Sequence, residues 1–175
     1  MKNHKLPLSV SFPPLGLMNP PEAVKFLHDH GFDSMDFNFV AALDIYGKNW
    51  QDMIEEVKRE ADRLGILIIS GHLPFRGASP EELHESVLES IKMAGALGIE
   101  RAVLHPLGNN KMPAGEENHN RWFNKNIEYY NRYLPLAQIE GFKIVTENMR
   151  DPFHASGTHR YASTADELIE LADLL

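Results

Sequence analysis

One phrase occurs four times along this chain and constrains its fold more than any other feature: a glycine, a short apolar run and a polar side chain. The copies run from Gly31 to Asn38, from Gly65 to His72, from Gly98 to His105 and from Gly141 to Glu147. A glycine that ends a helix before a buried apolar strand is typical of chains in which helices and parallel strands alternate. Because the carboxyl ends of parallel strands meet at one edge of a sheet, the four polar side chains are predicted to lie together.

Helix signals fill the intervals between these phrases. Asn19 precedes two prolines, and capping-box patterns begin at Ser79 and Thr164. The predicted strands cover residues 6–12, 34–39, 66–70, 101–104 and 141–147, a loop with Asp44, Tyr46 and Trp50 follows the second strand, and a long helix starts at Trp122. The polar segment 108–120 is too long for a simple connection and is predicted to cover the strand ends as a lid.

The glycines recur at spacings of 34, 33 and 43 residues, which indicates successive β-α-β units with right-handed crossovers. Two α/β architectures fit this succession. One is a partial (β/α)8 TIM barrel with five parallel strands and five helices. The other is a complete five-stranded doubly wound sheet of the flavodoxin type. We prefer the first, in which residues 1–175 form a single domain, the N-terminal part of a TIM barrel without strands six to eight.

Composition excludes several classes of protein. With 175 residues and 43% hydrophobic content, the chain suits one domain. It contains no cysteine, so disulfides and thiolate ligands are excluded, which is compatible with a cytoplasmic location. No run approaches the roughly 18 apolar residues of a membrane span, so no membrane partner is expected. A net charge of −8 opposes binding to a phosphate backbone and disfavours nucleic acid as a partner.

The strand-end residues are suited to metal binding. Imidazole and carboxylate groups from neighbouring strands are good ligands for a divalent cation such as zinc, manganese, magnesium or iron. We predict that His72, His105 and Glu147 bind such a metal ion. Glu147 is the strongest candidate, because an ionised carboxylate beside an apolar strand is costly unless it is paired or metal-bound. The alternatives are a salt bridge from Glu147 to a lysine or arginine, and ordinary loop hydrogen bonds for the two histidines.

Other polar and aromatic residues are candidates for substrate binding. Asn38 lies two residues after Asp36, on the same side of a strand, where it could orient a substrate hydroxyl or bond to the next loop. Trp122 could stack on a sugar or pack within its helix. His154 and His159 lie in a loop from which they could reach the pocket.

Four motifs, taken in order, resemble a known superfamily. Asp36-Phe-Asn38, Ser70-Gly-His72-Leu-Pro74, Val103-Leu-His105-Pro106 and Val145-Thr-Glu147-Asn148 look like the first five units of the xylose-isomerase-like barrels, which include sugar-phosphate isomerases and epimerases and endonuclease IV. The resemblance implies that Glu147 is a metal ligand, and that His72 and His105 are ligands or line the substrate pocket.

The resemblance also implies an activity, the metal-dependent isomerisation or epimerisation of a sugar or sugar phosphate. In that chemistry a cation polarises a carbonyl, and a carboxylate, for which Glu147 is the candidate, moves the neighbouring proton. Two alternatives remain at this point. One is a metal-dependent phosphodiesterase acting on abasic DNA, as in endonuclease IV. The other is a non-catalytic remnant that binds a ligand or assembles.

The sequence departs from this superfamily beyond its fifth unit. Members take further metal ligands and a second acid–base glutamate from strands six to eight, which do not occur in these 175 residues. We therefore expect a fragment of a longer protein or the product of a truncated gene, with little turnover on its own. Because five strands cannot close a barrel, the open edges and interior are predicted to drive formation of a homo-oligomer.

Overall fold

Five parallel strands form one continuous sheet in the computed structural model, which describes residues 9–12, 17–108, 112–113, 115–150 and 158–173. The strands in chain order are β1 (Ser9–Phe12), β2 (Ser34–Asn38), β3 (Leu67–His72), β4 (Arg101–Val103), β5 (Met112–Pro113), β6 (Lys143–Val145) and β7 (Thr158–His159). The large sheet has the order β1-β2-β3-β4-β6, while β5 and β7 form a separate antiparallel pair.

The strand order decides between the two predicted architectures. Each strand of the large sheet pairs with the strand that follows it in the chain, so every crossover moves one step in the same direction. A doubly wound sheet of the flavodoxin type has the order 2-1-3-4-5 and reverses after its first crossover. The partial barrel is therefore confirmed, and the doubly wound alternative is wrong.

The described residues contain six helices, one more than predicted. They are α1 (Pro20–Asp29), α2 (Phe39–Tyr46), α3 (Gln51–Leu64), α4 (Pro80–Leu97), α5 (Glu116–Ile139) and α6 (Ala165–Ala172). The additional helix, α2, replaces the expected loop after β2. Asn38 caps it by accepting a hydrogen bond from the Ala41 backbone N–H at 3.1 Å. Helix α5 begins at Glu116, before the predicted start at Trp122. Glu116 and Glu117 lie in its first turn, where the helix dipole stabilises carboxylates.

The predicted caps of α1, α4 and α6 are present, but the reciprocal capping box predicted at Ser79 is incomplete, because the Glu82 carboxylate accepts from the backbone N–H of Ala78. Asn19 accepts a hydrogen bond from the backbone N–H of Glu22 at 2.9 Å, and Thr164 forms a reciprocal capping box with Glu167. Helix α3 ends at Gly65, whose φ of 70° lies in the left-handed region that favours glycine. These local signals fix where each strand starts, which is why the strand ends fall close to their predicted positions.

The sheet has a buried outer face and a more open inner face. Met35 and Phe37 of β2 are fully buried beneath the helices, whereas Asp36 and Asn38 alternate with them and face inward. Most of the core therefore lies between the sheet and the helices. None of the described helices is both long enough and apolar enough to span a lipid bilayer.

Candidate functional site

The register of the sheet places three of the predicted residues together. Val103 of β4 pairs with Val145 of β6, and two residues beyond this pair the chain reaches His105 and Glu147, respectively. Because side chains alternate along an extended chain, these two side chains share the inner face. His72 ends β3 opposite Val103 and so lies beside them.

The polar atoms of His72, His105 and Glu147 converge. Nδ1 of His105 lies 3.3 Å from one Glu147 oxygen, and Nε2 of His72 lies 3.6 Å from the other. One donor atom from each residue fits within 4.8 Å of the others, a separation suited to a shared divalent cation. Within the described part of the chain, Glu147 forms ion-pair contacts with these histidines and none with a lysine or arginine.

Asp36 fixes the orientation of His72. Its Oδ2 lies 2.5 Å from Nδ1 of His72, and its Oδ1 accepts a 2.6 Å hydrogen bond from Ser70. The hydrogen bond to Asp36 raises the pKa of His72 above its ordinary value, against the opposing effect of burial. Burial alone would raise the pKa of Asp36, but its hydrogen bonds to His72 and Ser70 outweigh burial and lower it. With Nδ1 engaged, Nε2 of His72 is left to face Glu147.

His105 has a more apolar environment than His72. Its ring centroid lies 4.4 Å from that of Phe75, and its Nδ1 lies 3.4 Å from the Met149 sulfur. Burial lowers the pKa of His105; the nearby Glu147 carboxylate opposes this effect, and positive charge on His72 adds to it. The lowered pKa favours the neutral form of His105 at neutral pH, which is the form that can bind a metal.

Tyr130 of α5 joins the two strand ends that carry His105 and Glu147. Its hydroxyl donates a 2.5 Å hydrogen bond to the carbonyl of Leu104 and lies 2.9 Å from the hydroxyl of Thr146 in a second hydrogen bond. This contact was not predicted from the sequence. A tyrosine that bonds to a backbone carbonyl has no sequence signature, because every residue carries that carbonyl.

A cavity of about 240 Å³ adjoins His72. It is also lined by Asn38, whose side chain caps α2, and by Phe75 and Arg76 from the segment after β3. Gly71 permits tight packing beneath this point, because a Cβ there would lie 2.5 Å from the ring of Phe39 and 2.8 Å from the carbonyl oxygen of Phe37.

Trp122 and His159 lie in a different cluster. Both line a small recess with His119, Tyr161 and Glu167, which does not share residues with the cavity beside His72. His159 Nε2 lies 2.7 Å from Glu167, and His119 lies 3.4 Å from the same oxygen. These contacts connect α5, β7 and α6. The predicted roles of Trp122 and His159 in substrate binding stay predictions, and His154 lies outside the described residues.

The sequence matches one family of known proteins. The model of a family described as "Xylose isomerase-like TIM barrel" matches residues 24–175. A search of curated proteins found no match to this sequence.

Several solved structures share the fold. The structure of 3-keto-D-glucoside 4-epimerase from E. coli is 13% identical, with a TM-score of 0.69 over 98% of this chain and 66% of that one. A D-tagatose 3-epimerase-like protein is 21% identical, with a TM-score of 0.66 over 95% and 60%. D-psicose 3-epimerase from Clostridium cellulolyticum H10 is 13% identical, with a TM-score of 0.66 over 97% and 60%. This chain thus spans about 60% to 66% of the length of these structures.

Proposed function

The chain belongs to the xylose isomerase-like TIM-barrel family, and from this membership we propose that it carries the metal-binding half of a metal-dependent sugar isomerase or epimerase. The observation that carries the proposal is the convergence of His72, His105 and Glu147 within 4.8 Å at the strand ends. The names of the similar structures add support for a sugar substrate, since they are epimerases of keto sugars.

The three side chains fit a divalent cation in chemistry as well as in spacing. Two imidazoles and one carboxylate form a common ligand set for zinc, manganese and iron. His72 would bind through Nε2, because Asp36 occupies its Nδ1 at 2.5 Å. A carboxylate behind a ligating histidine fixes the ring and increases its basicity. Glu147 is 40% exposed, so its oxygens are accessible from the open side of the site.

A divalent cation held here would polarise a sugar carbonyl and its neighbouring hydroxyl, which makes the proton between them easier to remove. The chain's own residues supply the positioning. Asn38 and Arg76 line the cavity beside His72 and are placed to donate hydrogen bonds to sugar hydroxyls. Phe75 lines the same cavity and packs against His105, so it offers an apolar surface for one face of a sugar ring.

Proton transfer on both faces of a sugar carbon needs two acid–base groups. Among the described residues near the site there are two carboxylates, Glu147 and Asp36. Asp36 is engaged by His72 and Ser70, which leaves Glu147 as the group able to reach a substrate. We therefore expect slow turnover by this chain alone, below roughly 1 per second, the low end of ordinary enzymes.

The proposal is tested by metal analysis. The protein is loaded with Mn²⁺, dialysed and assayed for bound metal. Glu147→Ala should weaken binding by more than about 100-fold, because loss of a ligand exceeds the effect of losing an outer hydrogen-bond partner. Glu100→Ala is the matched control, since Glu100 precedes β4 at the opposite end of the sheet and contacts Arg101 at 3.2 Å. Unchanged metal content in Glu147→Ala would refute the assignment.

A further inference from the structure

A second, larger groove lies next to the candidate site. It has a volume of about 720 Å³ and runs between the segment after β3, the start of α4 and one face of α5. Its charged lining consists of Arg76, Lys125, Glu128 and Arg132. With three cations and one carboxylate, the groove is positively charged, although the chain as a whole has a net charge of −8.

The cations approach the groove from two sides. Lys125 and Arg132 lie seven residues apart on α5, with Glu128 between them, so they share one face of the helix. Arg76 belongs to the opposite wall, in the segment after β3. Charged groups on two separate elements that line one groove can contact the same ligand.

None of the three cations forms an ion pair with another described residue. The Arg76 guanidinium lies 5.0 Å from the centre of the Phe75 ring, and the Lys125 ammonium lies 4.9 Å from the centre of the Trp122 ring. Arg132 interacts with the neighbouring Tyr133. Burial raises the pKa of Tyr133, and the charge and hydrogen bond of Arg132 partly oppose this effect. These aromatic contacts hold the cations in place without neutralising them, so their charge is available to an anion.

Backbone N–H groups at the start of α4 are already engaged by the helix's own side chains. The backbone N–H of Ala78 already donates to the Glu82 carboxylate at 2.7 Å, and that of Glu82 donates to the Ser79 hydroxyl at 3.2 Å. The side chains of Arg76, Lys125 and Arg132 therefore provide the positive charge.

We propose that this groove binds the phosphate group of a small phosphorylated molecule. A phosphate monoester carries a charge of about −1.5 to −2 at neutral pH and accepts several hydrogen bonds. It therefore matches three cations better than a ligand with a single carboxylate group would. Leu83 and Leu107 provide an apolar wall for the rest of the ligand. The net charge of −8 opposes a long polyanion such as nucleic acid, whereas a small ester needs only the groove itself.

The groove is connected to the candidate site through two residues. Phe75 lines the groove and packs against His105 at 4.4 Å, and Arg76 lines both the groove and the cavity beside His72. The phosphate could therefore belong to a sugar substrate that extends toward His72, or to a separate phosphorylated molecule. Assignment to the substrate rests on the proposed function; the phosphate site itself does not.

The test is a titration of the metal-free protein, in EDTA, with inorganic phosphate and with D-fructose 6-phosphate, followed by amide NMR shifts. Both should bind saturably, with D-fructose as the unphosphorylated control showing no shifts around the groove. Lys125→Ala and Arg132→Ala should each raise Kd about tenfold, the effect of losing one charged hydrogen bond. Arg59→Ala, an exposed cation of α3, is the charge-matched control and should leave Kd unchanged.

The proposal is overturned if neither phosphate compound binds saturably, or if Arg59→Ala weakens binding as much as Arg132→Ala. All three side chains are exposed, so the variants should remain folded, which circular dichroism verifies. Repeating the titration with Mn²⁺, followed by calorimetry, identifies the source of the phosphate. Tighter binding of D-fructose 6-phosphate but not of inorganic phosphate assigns it to the substrate; unchanged binding of both assigns it to a separate molecule.

Discussion

The hydroxyl oxygen of Tyr130 lies 2.5 Å from the carbonyl oxygen of Leu104, the residue immediately before His105. The same hydroxyl lies 2.9 Å from the side chain of Thr146, the residue immediately before Glu147. The last backbone hydrogen bond between these strands runs from Leu104 N–H to the carbonyl of Val145. Tyr130 therefore links the two strands just past their last backbone hydrogen bond, directly before the two proposed metal ligands.

Tyr130→Phe is expected to weaken metal binding by changing the separation of His105 and Glu147. Burial raises the pKa of Tyr130, so its hydroxyl is protonated at all ordinary pH values and its loss leaves a buried carbonyl without this partner. The cost should be about 1–3 kcal/mol of unfolding free energy. Tyr133→Phe is the matched control, because that hydroxyl contacts His84, away from the strand ends. An Mn²⁺ titration with equal losses in both variants would contradict the role assigned to Tyr130.

Asp36→Asn should destabilise the metal-free protein in a defined pH window. The pKa of Asp36 is lowered from its ordinary 3.8, so its contribution is present above that value and is lost as pH falls through the lowered pKa. The pKa of His72 is raised from 6.5, so its contribution is complete below 6.5 and is lost as pH rises through the raised pKa. The pair therefore stabilises the fold most between these limits.

Chemical unfolding of both proteins checks this window. The stability difference between wild type and Asp36→Asn should be about 1 kcal/mol near the middle of the window, since the pair is partly exposed, and should shrink in alkaline solution. Ser70→Ala removes a different hydrogen bond to Asp36 and serves as a control, because it leaves the His72 contact in place. A difference that grows as pH rises above the pKa of His72 would contradict the ion pair.

The positions of the strands along the chain and the residues at their ends were predictable because local signals determine both, whereas the order of the strands in the sheet was left open between two architectures. Each strand starts after a helix-ending glycine, as Gly65 illustrates with its φ of 70°. His72 and His105 follow their glycines by the same number of residues, so both lie at the same height at the carboxyl ends of the strands. Glu147 reaches the same level through the pairing of Val103 with Val145.

Features that depend on tertiary contacts were not predictable. Helix α2 follows β2 directly, and Asn38 both ends the strand and caps the helix. The sequence pattern at Asn38 therefore predicted a strand end alone, and the helix was missed. The hydrogen bond from Tyr130 to Leu104 joins residues 26 positions apart and uses a backbone carbonyl. The partner of Asp36 was likewise ambiguous, because His72 becomes its neighbour only when β2 and β3 pair.

The substrate class can be tested by direct binding. Protein loaded with Mn²⁺ should bind a ketose such as D-tagatose saturably and should neither bind nor nick an oligonucleotide with an abasic site. The physical reason is the net charge of −8, which opposes association with a phosphate backbone. His72→Ala should abolish the ketose binding measured by calorimetry, whereas His30→Ala, at the end of α1, should retain it. Nicking of abasic DNA without ketose binding would reverse the proposal.

Self-association is the last prediction, and it follows from exposed apolar side chains on β3. Leu67 is 53% exposed and Ile69 is 39% exposed, although both belong to a strand at the middle of the sheet. Exposed apolar side chains on a sheet favour contact with another apolar surface. Sedimentation should therefore detect a dimer or larger oligomer, and Leu67→Ser should shift it toward monomer. Ile169→Ser is the control, since Ile169 is 58% exposed but lies on α6. A wild-type chain that sediments as a monomer, or equal shifts in both variants, would exclude association through β3.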